Sequence, residues 1–153
     1  MAEIVIPDKL QAPFYKVHLA DLVSSEKVGE GQWSVKTVGG QGQERLTCSM
    51  VWLQAEVVRL SLSENWLEVV EGGSQVRVLG ITSSPGGVDW IQQGQFVQVL
   101  GQLTNSTNNK VVCTKIINLD NKKLSRANSK QLWDLEVAEI RKVLTKKIKI
   151  RDI

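Results

Sequence analysis

The chain has 153 residues, 42% hydrophobic and 23% charged, which suits one domain with a single core and excludes a disordered protein. Its net charge of +3 is unevenly placed: residues 1–120 hold nine Lys and Arg against twelve Asp and Glu, and residues 121–153 hold ten against four. A body that gripped nucleic acid would carry the cations itself, so this distribution speaks against a basic binding body.

Residues 1–12 read as loosely held, since Pro7 and Pro13 discourage regular structure. Met1 to Pro7 has no basic region leading into an apolar run, so no signal peptide is expected. Tyr15, Leu19 and Leu22 fall at i, i+4 and i+7, which predicts a short helix or a packed extended segment between Phe14 and Val23. Trp33, Val35 and Val38 suggest an edge strand, followed by a glycine-rich loop through Glu44.

Strict alternation begins at Val51. Val51, Leu53, Ala55 and Val57 share one face, and Trp52, Gln54 and Glu56 the other. Ser61–Asn65 turns the chain into a second strand at Trp66–Val70, and Glu71-Gly-Gly-Ser74 is a hairpin turn into a third at Gln75–Ile81. Thr82–Gly87 breaks the pattern, and Val88–Ile91 fits a crossover turn. Gln95–Leu103 and Lys110–Leu119 alternate again around a polar loop from Thr104 to Asn109. Five strands interrupted between the third and fourth predict an all-β OB-fold, a five-stranded Greek-key barrel. After a basic linker from Asp120 to Ala127, Asn128 is the expected N-cap of a helix over about 129–144, with Gln131 reaching back. Trp133, Val137, Ile140 and Leu144 form its apolar stripe, which Leu132 and Val143 widen. The expected layout is thus residues 1–12 loose, 13–144 barrel with helix, and 145–153 a basic tail.

As a set, Val51–Val58, Gly94–Gly101, Lys115–Asp120 and Leu132-Trp-Asp-Leu-Glu-Val-Ala-Glu139 resemble the second-subunit family of the RecQ-mediated genome instability complex. Pro13–Leu22 resembles the family's N-terminal segment, so the likeness covers residues 13–140. The chain departs from the family in carrying Gln95 where a lysine stands and in its basic extension to Ile153. The resemblance implies a small nuclear OB-fold subunit that pairs with the OB domain of a larger subunit. Through that pair it would join a Bloom-type RecQ helicase and topoisomerase III in dissolving double Holliday junctions, as a scaffold.

The helix stripe has two possible destinations, its own barrel or a partner. Burying Trp133, Val137, Ile140 and Leu144 would remove roughly 400–500 Å², about 10–12 kcal/mol gross. That only balances the ~4–15 kcal/mol cost of association, so a partner would need barrel residues too. The expected partner-binding set is Trp52, Leu132, Trp133, Val137, Ile140 and Leu144. The alternative is a single-stranded-DNA-binding OB subunit of the replication-protein-A or telomere-cap type. Its platforms are scarce: neither Ser61–Asn65 nor Thr104–Asn109 has a base or an aromatic, and Trp66 and Arg77 stand alone on strands two and three. Lys146, Lys147, Lys149 and Arg151 are candidates for weak phosphate contact, or simply a solvated helix end. Catalysis has no constellation to rest on, because His18 is the only histidine and no nucleophile or phosphate motif appears. Cys48 and Cys113 are too far apart in sequence for a metal motif and are expected to be buried free thiols, with no cofactor.

Overall fold

The alternation from Val51 onward produces long paired strands because one face of each can be dry while the other meets solvent. The computed structural model describes residues 14–36, 45–104, 109–120 and 125–151, with the backbone alone at Phe14, Lys36, Arg45, Leu46 and 140–151. In chain order the described elements are β1 (Phe14–Lys16), α1 (Leu19–Val23), β2 (Glu26–Gly29), β3 (Gln32–Lys36), β4 (Arg45–Cys48) and β5 (Met50–Ser61). There follow β6 (Trp66–Glu71), β7 (Ser74–Leu79), a 3-10 turn at Ile81–Ser83, β8 (Phe96–Leu103), β9 (Lys110–Asn118) and α2 (Arg126–Arg151).

The barrel strands run β5-β6-β7-β9-β8, and β8 pairs back onto β5 from Glu56↔Phe96 to Met50↔Gln102. Only β7 and β9 are parallel among these five. Numbered from β5 this order is 1-2-3-5-4-1, the closed Greek key of an OB-fold. Val51, Leu53, Ala55 and Val57 all point into the core, where they meet Leu67, Val69, Val76, Val78, Val97 and Val99. A bulge between Val57 and Arg59 takes up the curl of β5, just past Ala55. Gly101 permits a close approach of β8 and β9 at their register shift. A Cβ there would overlap Val111 Cγ1 and lie 2.8 Å from the Val112 carbonyl oxygen.

Around this barrel the N-terminal region is more elaborate than the sequence suggests. The segment from Phe14 is both extended and helical: β1 adds in parallel to β5, and α1 follows at once. Trp33 and Val35 lie in the middle strand of a β2-β3-β4 sheet, not on an edge. Trp33 is buried, and its indole Nε1 donates to the Thr104 carbonyl at 2.8 Å, tying this small sheet to the start of the β8–β9 loop. The loop read over 38–44 lies outside the described residues, as do residues 1–12.

The C-terminal helix begins earlier and ends later than expected. Ser125, not Asn128, is its cap: the Ser125 hydroxyl accepts from Asn128 N at 3.2 Å, and its carbonyl accepts from Ser129 N at 2.9 Å. The helix then runs to Arg151, so the 145–153 segment read as a tail is mostly helical backbone. Among the described residues no helix is long and apolar enough to cross a membrane.

Candidate docking site on the C-terminal helix

What seats α2 is a small apolar contact framed by charge. Trp133 and Val137, one helical turn apart, are 2% and 1% exposed. Together with Phe96 and Leu119 they are buried but lie outside the contiguous barrel core. Trp133 and Val137 are therefore covered within the chain and correct the expectation that they face a partner. Phe96, at the start of β8, borders one cavity with Trp133, Ala55 and Val70, and this apolar shelf on the barrel is what the stripe faces.

Arg126 pins the start of the helix. One guanidinium nitrogen donates to Glu56 Oε1 at 2.8 Å, and another donates to the Gly94 carbonyl at 2.9 Å and to both Asp120 oxygens at 3.0 and 3.1 Å. Asp120 in turn accepts from Phe96 N at 2.8 Å, and the Arg126 and Lys130 side chains lie over the Phe96 ring. Further along, Lys16 of β1 reaches Glu136 at 3.5 Å and sits over the Trp133 ring. His18 makes the last link: its Nδ1 is 2.9 Å from Glu71 Oε2 and its Nε2 3.3 Å from Asp134 Oδ1.

Along the described side chains, the opposite face of α2 is uncovered. Leu132 is 46% exposed and Leu135 65%, with Ala138 a turn beyond them also exposed. Leu132 was expected to serve a partner; Leu135 was not singled out, although its i, i+3 spacing from Leu132 was visible in the sequence. The side chains of Ile140, Leu144, Lys146, Lys147, Lys149 and Arg151 lie outside the described residues. Trp52 is half-buried on the outer face of β5, with its backbone paired to Lys16 of β1 and Val17 N, just past that strand, donating to its carbonyl at 3.1 Å. Between helix and barrel is a cavity of about 360 Å³ bordered by Phe96, Trp133, Glu56, Glu71, Lys130 and Asp134. The Trp133 indole Nε1 has no hydrogen-bond partner among the described residues.

The face that OB-folds use for bases is occupied by the chain's own side chains. The Arg77 guanidinium lies 4.3 Å from the centre of the Trp66 ring, and the Trp66 Nε1 donates to Glu64 at 3.0 Å. Beside them the buried Glu68 accepts from Arg59 at 2.6 Å, from Arg77 at 3.0 Å and from Gln75. Burial pushes the Glu68 carboxyl up. Hydrogen bonds from Arg77 and Gln75, with the charges of Arg59 and Arg77, outweigh it and hold the group below its ordinary value. The one platform aromatic is thus half-buried with Arg77 against its ring, and the nearby Arg59 and Arg77 pair with a buried anion.

The thiols are inert by placement. Burial pushes Cys48 up to about 12 and Cys113 to about 11. Among the described residues no group of three His, Cys, Asp or Glu could hold a metal ion.

Among solved structures, the telomere capping protein Ten1 from Saccharomyces pombe superposes with a TM-score of 0.51 at 12% identity, over 80% of this chain and 95% of that one. The S. pombe Stn1–Ten1 complex matches equally, at a TM-score of 0.51 and 12% identity, over 80% of this chain and 90% of its counterpart. At that identity the likeness is one of fold, the OB-fold already traced. No curated protein matches the sequence. Residues 13–141, from just before β1 into α2, match the RecQ-mediated genome instability protein 2 family, and the chain belongs to it, with the RecQ-associated role in genome stability that the family carries.

Proposed function

We propose that the chain is a non-catalytic scaffold subunit that pairs, through the outward face of α2, with the OB domain of a larger subunit in a nuclear RecQ helicase–topoisomerase III assembly. There it contributes to double Holliday junction dissolution without reading DNA itself. The observation that carries this reading is a helix already fixed to its barrel by Trp133 and Val137, yet still presenting Leu132 and Leu135 to solvent. Exposed leucines on a rigid helix lose little entropy on docking, which favours a preformed interface. The Stn1–Ten1 match adds support, since there Ten1 is found in a complex with a second protein. Trp52 flanks the interface in this reading, and the basic end of α2 stays peripheral to it.

The alternative, a single-strand-binding module, draws on the likeness to a telomere capping protein. It is disfavoured because Arg77 already stacks on the Trp66 ring and, with Arg59, pairs with Glu68, so a base would compete with the chain's own side chains. Co-purification with the larger subunit's OB domain, using Leu132→Asp/Leu135→Asp, tests the proposal directly. Retention should fall at least tenfold while the variant chain stays folded. Undiminished retention, or salt-sensitive oligonucleotide binding that Trp66→Ala abolishes, would overturn it.

A further inference from the structure

His18 is the only histidine in the chain, and it stands where three elements converge. From the end of β6, Glu71 faces its Nδ1; from α2, Asp134 faces its Nε2; from α1, Asp21 accepts from the His18 backbone N at 3.1 Å. Two cations flank this side: Lys16 of β1 is engaged with Glu136, two residues beyond Asp134, and Lys130, one turn before Asp134 on α2, borders the same cavity as Glu71 and Asp134. Among the described residues the ring is thus bracketed by carboxylates.

We propose that His18 is the positioning residue of the docking helix, donating as an imidazolium to Glu71 and Asp134 at once, so that the seating of α2 follows the proton occupancy of this one ring. The donor count gives the mechanism. An imidazolium has two N–H donors, whereas neutral imidazole has one donor and one lone pair, so it serves one carboxylate and repels the other. The competition is unequal. Glu71 is held in place by Leu19 N, which donates to its second oxygen at 2.8 Å, and it lies closer to the ring than Asp134. Asp134 is the more exposed of the two carboxylates. Glu71 therefore keeps the remaining proton, and Asp134, the link to α2, is the contact released.

The direction of titration agrees. The hydrogen bond to Glu71 raises His18 above its ordinary 6.5, burial pulls it back, and the charges of Glu71, Asp21 and Asp134 add to the rise. A raised value means the clasp is complete below 6.5 and is lost as the pH climbs through the higher folded-state value. Loss of the clasp loosens α2 without freeing it, because Trp133, Val137 and Arg126 remain. The consequence for a partner, weaker docking in alkaline solution, rests on the function proposed above; the clasp itself does not.

The test uses the full chain alone at fixed ionic strength. The lone imidazole is titrated by NMR, and amide exchange of α2 is compared at about pH 6 and about pH 8.5 after correction for intrinsic exchange. Opening of α2 should rise about 1.5- to 5-fold across the His18 titration, the scale of a partly exposed ion pair. In Asp134→Asn, a substitution at an exposed helix position, the imidazole should titrate lower and the step in α2 should vanish. His18→Gln should be flat with pH. A step that persists in Asp134→Asn, or an α2 indifferent to the imidazole's titration, overturns the proposal. Should His18→Gln fail to fold, Asp134→Asn decides alone. No partner is present, so these results stand or fall separately from the co-purification experiment.

Discussion

Trp133→Ala separates a residue that seats the helix from one that meets a partner. Trp133 is the largest fully buried side chain among the described residues, and truncating a buried tryptophan costs about 3–5 kcal/mol. The polar links that remain on α2 are partly exposed pairs worth about 0.2–1 kcal/mol each, so they cannot make up the loss. The helix should therefore lift off before the barrel unfolds. In native-state hydrogen exchange the amides of α2 should lose protection by the full amount, while β5 to β9 stay protected. Denaturant unfolding of the barrel should shift by less than 3–5 kcal/mol. Trp133→Phe supplies the internal control: it keeps an aromatic ring on the shelf and removes an indole N–H that has no partner among the described residues, which offsets about 1–3 kcal/mol of the packing loss. If Trp133→Ala leaves α2 protected and weakens only the retention of a partner, the indole belongs to the interface and the seating argument fails.

Gly101→Ala should destabilise the barrel by about 1–3 kcal/mol, toward the upper end because one clash is with the Val112 backbone, and urea unfolding measures it. Adding Val111→Ala should relieve only the side-chain part. Glu68→Gln should cost about 1–3 kcal/mol at neutral pH by removing the anion that Arg59 and Arg77 share. Since the folded-state value of Glu68 is depressed, its contribution is complete above the unfolded carboxylate range and is lost as the pH falls through the folded value, so wild type and variant should converge in acid. A constant gap would contradict the network. Both thiols should resist an aromatic disulfide reagent at neutral pH and react only on unfolding; prompt labelling of Cys48 or Cys113 in the native protein would show that burial does not protect them.

The five barrel strands were legible because apolar residues recur along each at or near period two, and polar or glycine-containing turns separate them. The short strands were not. Glu26–Gly29 is exposed or half-exposed throughout, so no alternation announces it, and its pairing with β3 is set by tertiary contact. The helix was legible as an amphipathic stripe, yet periodicity gives a direction without saying what lies there. The shelf at Phe96 that receives Trp133 is formed by chain folding alone. The cap moved from Asn128 to Ser125 because both residues suit the role, and the choice is made by where Arg126 finds Glu56 and Asp120. The clasps Lys16–Glu136 and His18–Asp134 join residues near opposite ends of the sequence, which no local pattern can reveal.

Those same two clasps set an order on biosynthesis. A ribosome releases Lys16 and His18 before the five barrel strands and Asp134 and Glu136 after them, so the barrel strands are all available before the helix can dock. Until then the Phe96 shelf is open to water or to a chaperone, and a truncated product that stops before Trp133 would keep it open for good.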